Sequence, residues 1–173
     1  MDDFTTVTPW PMPKKDDCLF YHSMTFPDGE NIEAAWDVRG LFQDYIGHYP
    51  IRGKTLLDVG TATGFLSFEA EKAGAIVTSL DAATGRELNY IPIEGHQYHG
   101  NRPAFIEASN YNLKMLKNSY WYGWHKFASK AAVEYIPIAD LPFWDKKFDV
   151  VLAGADVVAH PIREFAHRDL RVD

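Results

Sequence analysis

Cysteine is nearly absent from this sequence. The single residue, Cys18, excludes an internal disulfide framework and fits a reducing compartment. An export signal is also missing, since the chain opens Met1-Asp2-Asp3-Phe4, with acids where a signal peptide carries positive charge. No apolar run is long enough to cross a bilayer. The most apolar stretch, residues 148–159, is short and is interrupted by Asp149 and Asp156. Basic charge is in deficit, with 17 Lys and Arg against 24 Asp and Glu and a formal net charge of −7. That argues against a broad non-specific nucleic-acid surface, which needs a basic footprint, but leaves room for a local basic patch. Lys14-Lys15 and Lys146-Lys147 are pairs short enough to be solvated faces. Repeats and low-complexity runs are lacking too. The expectation is a soluble cytoplasmic protein with no membrane partner.

What is present is one domain's worth of foldable chain. Its 173 residues are 46% hydrophobic and 24% charged, a balance that can bury a core. Aromatic residues reach 14%, so five Trp, nine Tyr and eleven Phe must pack or line a pocket. Residues 1–30 read as an irregular N-terminal arm, because Pro11, Pro13 and Pro27 break helices and Pro27-Asp28-Gly29 is a turn signature. Residues 31–173 read as a single domain. Val38, Leu41, Phe42, Tyr45 and Ile46 recur at helical spacing, which predicts a helix running from an Asn31 cap to Gly47.

Residues 53–60 then form a short apolar run of the kind found in a strand buried on both faces. A turn over 61–64 follows, and 65–72 returns to helical spacing ahead of a Gly74 cap. Residues 75–81 make a second strand. Strand, glycine turn, helix and strand compose a βαβ unit, hence a parallel sheet with a right-handed crossover. Further on, the pattern predicts a long loop over 82–105 and a helix through Leu113, Leu116, Tyr120, Trp124 and Phe127, weakened at Gly123. Strands near 133–137 and 147–153 and a last helix over 161–170 complete the reading. Trp121, Tyr122 and Trp124 read as packing residues, with a stacking platform for a ligand base as the alternative.

The segment that carries chemistry is Leu57-Asp58-Val59-Gly60-Thr61-Ala62-Thr63-Gly64. A glycine turn between strand and helix lets the backbone approach a ligand, with the helix N-terminus aimed at it. The dinucleotide fingerprint wants glycine at 60, 62 and 65, where this chain has Gly60 but departs at Ala62 and Phe65. Phe65 would hold helix and strand apart, which disfavours a nicotinamide cofactor and an oxidoreductase. Gly60 and Gly64 fit a nucleoside ligand without a pyrophosphate. Asp81 ends the second strand about 20 residues beyond the turn, the place from which an acid takes both hydroxyls of a ribose. Its structural alternative is a cap for the following turn.

A third segment, Ile138-Ala139-Asp140-Leu141-Pro142-Phe143, precedes Phe148-Asp149-Val150-Val151. With these three motifs in order, the sequence resembles the class I S-adenosylmethionine (SAM)-dependent methyltransferases over residues 21–160. The resemblance implies that Asp58, Gly60, Thr61 and Gly64 hold the methionine end of SAM and that Asp81 binds the ribose. It also implies that Asp140 accepts from the adenine amino group beside the Leu141 backbone, and that Ala82 touches the ring. A carboxylate suits that exocyclic amine. Gly154 would open the segment where the methyl group faces its acceptor. Tyr21-His22-Ser23-Met24-Thr25-Phe26-Pro27-Asp28-Gly29, Trp36-Asp37-Val38-Arg39 and Ser129-Lys130-Ala131 are similar to the group around the tRNA wobble-uridine methyltransferases of the 5-methoxyuridine and carboxymethoxyuridine type. The acidic charge of this chain keeps the tRNA substrate from being carried over.

Methyl transfer from a sulfonium depends chiefly on positioning the acceptor. An oxygen or nitrogen acceptor can also need a base, and the candidates are His22 and His160, each with a structural, hydrogen-bonded histidine as its alternative. His96 and His99 sit in a glycine-rich loop. A carboxylated SAM derivative would need an added cation, for which Arg39, Arg86 and Arg102 are the candidates. The expected fold is α/β, a Rossmann-like parallel sheet with flanking helices, for which the resemblance implies the order 3-2-1-4. It is incomplete beside the family's seven strands, which leaves strand 4 as an apolar edge. A truncated piece of a longer enzyme is the preferred explanation, ahead of a homodimer through that edge or a natural short form. The expected activity is methyl transfer to O or N of a small molecule or modified nucleoside. Its rival is a SAM-binding fragment without turnover.

Overall fold

The structure, a computed structural model, describes residues 6–88, 90, 94–95, 97–137 and 145–153. Its centre is a parallel sheet built from β3 (Thr55–Val59), β4 (Ile76–Asp81), β5 (Ala132–Tyr135) and β6 (Val150–Ala153), in the order β5-β4-β3-β6. In chain order of these four strands that is 3-2-1-4, so the α/β, Rossmann-like expectation holds. β3 lies between β4 and β6 and is buried along both faces, which is why its sequence is apolar without alternation. On one face Leu56 and Val77 pack with Ala70 of α2 (Phe65–Lys72). On the other, Leu57, Val59 and Leu80 pack with Ile136 and Phe148. Gly74, at φ +95, ends α2 as expected.

Two expectations are corrected. The helix drawn from Asn31 to Gly47 does not form. Asn31–Ile32 is instead a strand, β2, paired antiparallel with β1 (Met24–Thr25) around the Pro27-Asp28-Gly29 turn. This hairpin spans the residue-30 boundary between arm and domain. It forms because Ile32, Met24 and Phe26 are buried together against Phe65 and Tyr122. Only α1 (Phe42–Tyr45) is helical, between left-handed Gly40 and Gly47. The loop drawn over 82–105 also ends early, because α3 runs from Arg102 to Lys126. Asn101 caps it by accepting from the Ala104 N–H at 3.2 Å, and Pro103 sits in the first turn, where its missing N–H costs nothing.

Gly123 does not weaken α3. A Cβ there would lie 2.7 Å from Phe68 Cε2, so the missing side chain lets α2 and α3 approach. Tyr120 and Phe68 rings meet beside it at 5.3 Å. Trp121 and Tyr122 are 0 and 7% exposed, so they belong to the core, and the Trp121 indole donates to the Tyr135 hydroxyl at 3.0 Å. No described helix is long and apolar enough to cross a membrane. The helix expected over 161–170 lies outside the described residues.

Candidate functional site

Parallel pairing of Val59 with Leu80 brings the carboxyl ends of β3 and β4 side by side, and the glycine turn and Asp81 follow directly. Gly60, Ala62 and Gly64 all have positive φ, at +73, +48 and +84, so the turn curls back on itself before α2 starts. The Gly60 and Thr61 N–H groups donate to the Leu80 carbonyl at 2.9 and 3.1 Å. At Gly64 a Cβ would meet the Phe68 and Tyr120 rings at 2.6–2.7 Å. Its absence is therefore a packing requirement as well as a conformational one.

Asp81 joins the two motifs. Its Oδ2 accepts from the Ala62 N–H at 2.8 Å and its Oδ1 from the Ala82 N–H at 2.7 Å. Asp81 thus fastens the Gly60–Gly64 turn, while the N–H groups of Ala83 and Thr84 in the turn that follows it donate to Glu87. The Asp81 carboxylate is held in one orientation on the strand-end rim and stays partly exposed. Ala82 is half-buried beside it.

Asp58 is 1% exposed at the centre of a buried polar chain. Its Oδ2 accepts from Thr61 Oγ1 at 2.9 Å and from Ser67 Oγ at 2.6 Å. Ser67 meets Ser79 at 2.7 Å, and Ser79 meets the Tyr120 hydroxyl at 2.8 Å. Oδ1 has no hydrogen-bond partner among the described residues. A buried carboxylate oxygen left unpaired is costly and marks a place where a donor is wanted. Burial pushes the Asp58 carboxyl above the usual carboxylate range, against the hydrogen bonds from Ser67 and Thr61.

His22 reaches the site from the arm. Its ring stacks on Phe65 at 5.3 Å, with Nδ1 3.4 Å from Thr63 Oγ1. Burial lowers its pKa, so at neutral pH the imidazole is uncharged and keeps a lone pair for a proton. A cavity of about 520 Å³ opens beside these groups, a volume that fits a small-molecule ligand. Asp58, Gly60, Thr61, Ala62 and Phe65 line it from the β3–α2 segment. Tyr21, His22, Trp36, Val38, Phe42 and Tyr45 line it from the arm and the residues around α1. The helical spacing in residues 38–46 therefore marks a cavity wall.

Lys117 was not singled out by sequence reasoning. It is 9% exposed, donates to the Ala83 carbonyl at 2.8 Å and lies 4.1 Å over the Tyr135 ring. Burial lowers its pKa, opposed by the charges of Asp81 and Glu87. It anchors the segment just after Asp81. Its position three residues before buried Tyr120 on α3 was the available signal.

Of the arginines considered for an extra carboxylate, Arg39 is engaged by Asp37 and Glu33. Arg86 and Arg102 share a shallow surface depression. Asp140, Leu141, Gly154, His160 and His96 lie outside the described residues. Among the described residues, no cluster of three His, Cys, Asp or Glu side chains is placed to hold a metal ion. No protein-family model matches this chain, and neither does any curated protein or solved structure.

Proposed function

We propose that this chain is a SAM-dependent methyltransferase core that delivers a methyl group to an oxygen or nitrogen of a small molecule or modified nucleoside. The observation that carries the reading is the 2.8 Å bond from the Ala62 N–H to Asp81 Oδ2. It ties the glycine turn to the acid of the next strand at one end of the sheet, where open parallel sheets bind nucleoside ligands. The donor set also fits SAM. Asp58 has an unpaired buried oxygen suited to the methionyl ammonium, and left-handed Gly60 and Gly64 bare the backbone beside it. Asp81 suits the ribose hydroxyls, and Ala82 is small enough to lie against the adenine.

When bound, SAM supplies an electrophilic methyl group on a positively charged sulfur. The chain's own contribution is to orient and to handle a proton. Asp58, held by Thr61 and Ser67, fixes the amino-acid end, and the cavity lining positions the acceptor. Neutral His22 takes the proton of an O–H or N–H acceptor. The Asp140, Leu141, Gly154 and His160 assignments belong to the same proposal.

Calorimetric titration of the 173-residue chain with SAM and with S-adenosylhomocysteine tests it. One saturable site is expected, weakened about tenfold or more in Asp81→Asn and Asp58→Asn, each having lost one charge-assisted contact. Circular dichroism checks that both variants fold. A folded parent that binds neither compound would overturn the proposal. Binding with no transfer to any acceptor tried would favour the rival reading, a SAM-holding module.

A further inference from the structure

Part of the cavity lining is aromatic, and the groups assigned to SAM do not include it. Tyr21, Trp36 and Tyr45 are 39, 56 and 54% exposed, and all three line the same space. Large rings gathered around one cavity and left half in water form a surface that another apolar ring would cover. They are also held in place. The Trp36 N–H donates to the Tyr21 carbonyl at 3.2 Å, and the Ser23 N–H donates to the Trp36 carbonyl at 2.8 Å. The Tyr21 and Trp36 rings consequently sit 6.0 Å apart, tilted by 38°. Tyr21 packs edge-on against His22 at 4.5 Å, so the aromatic wall adjoins the candidate base.

The charge of the cavity narrows its ligand. Among the described lining residues the charged groups are the carboxylates of Asp44 and Asp58, with no Lys or Arg. A ligand of net negative charge would meet like charge and find no lysine or arginine among the described lining residues, whereas the ammonium and sulfonium of SAM offset its carboxylate. Ring faces carry negative potential and attract positive charge. We propose that this cavity binds a planar aromatic ligand without negative charge, laid against Tyr21 and Trp36 beside His22. That the ligand is the methyl acceptor rests on the proposed function. That such a ring binds here does not.

The test uses three matched bicyclic probes, quinoline, N-methylquinolinium and quinoline-2-carboxylate. Each is titrated into the 173-residue chain near pH 7.5 without SAM and followed by ligand-observed NMR. The neutral and cationic probes should bind, and the anionic one should be about tenfold weaker or worse. Trp36→Ala and Tyr21→Ala remove exposed rings, so the fold should survive, as circular dichroism would verify. Each should weaken the two binding probes by about fivefold.

Equal binding of the carboxylate, binding by none of the three, or affinities unchanged in both folded variants would each overturn the inference. SAM titration of the parent reports separately. Ring binding without SAM binding would remove the methyltransferase reading and leave this site standing. SAM binding without ring binding would do the reverse.

Discussion

Gly64 serves two purposes with one missing side chain. It caps α2 in a left-handed conformation and leaves room for the Phe68 and Tyr120 rings. Gly64→Ala should therefore combine backbone strain with overpacking and cost about 2–4 kcal/mol. Urea unfolding would measure it, and a loss under about 1 kcal/mol, the cost of backbone strain alone, would show that the rings yield easily. Gly60, Gly64 and Asp81 were legible in the sequence because their placement is local, on a strand end or in the turn it starts, and spacing relates them; Asp58 entered only through the family resemblance. His22 was a candidate base alongside His160, and only the fold brought it to Phe65, about forty residues away in the chain. Lys117 was less visible still, since a lysine on a helix is normally solvated and only the packing of α3 buries this one.

At the scale of elements, the hairpin shows where periodicity misleads. Residues 31–46 carry a helical spacing of apolar side chains, yet Asn31 and Ile32 pair with Thr25 and Met24. Burial of Ile32 against Met24, Phe26 and Tyr122 outweighs the weak local preference. Glu30 fastens this hairpin to α3 and the arm. It accepts from Tyr122 Oη and Lys126 Nζ at 2.7 Å and pairs with Lys15 at 2.7 Å. Hydrogen bonds from Lys126, Lys15 and Tyr122 hold its carboxyl down at about 2. A depressed carboxyl contributes stability above its unfolded pKa, and that contribution disappears as pH falls through the folded value. Glu30→Gln should thus destabilise the protein at neutral pH, and its deficit should shrink between about pH 4.5 and pH 2. Unfolding curves across that range would check it. A deficit independent of pH would mean that Glu30 acts through shape and not charge.

For the whole molecule, the order β5-β4-β3-β6 places the glycine turn and Asp81 on neighbouring central strands. Among the described residues β6 pairs on one side only, and Val151 on it is 56% exposed. An apolar edge of this kind templates pairing with another chain. The parent should self-associate with rising concentration, and Val151→Lys should shift it toward monomer. Sedimentation velocity at several concentrations would read this directly, and identical profiles for the two proteins would exclude that edge as the contact.

The parallel βαβ unit and the turn with its acid follow from the sequence, because strand burial, glycine conformation and crossover length are short-range properties, whereas the strand order came only through the family resemblance. The sequence also located the turn at Pro27-Asp28-Gly29. It took the folded molecule to show that the turn closes a hairpin, that Gly123 is a contact point and not a weakness, and that Asp58 sits within a buried hydroxyl chain with one oxygen unpaired among the described residues. The cavity was likewise invisible beforehand. Its walls come from the arm, the residues around α1, and the β3–α2 turn, and volume between segments distant in sequence exists only once they have packed.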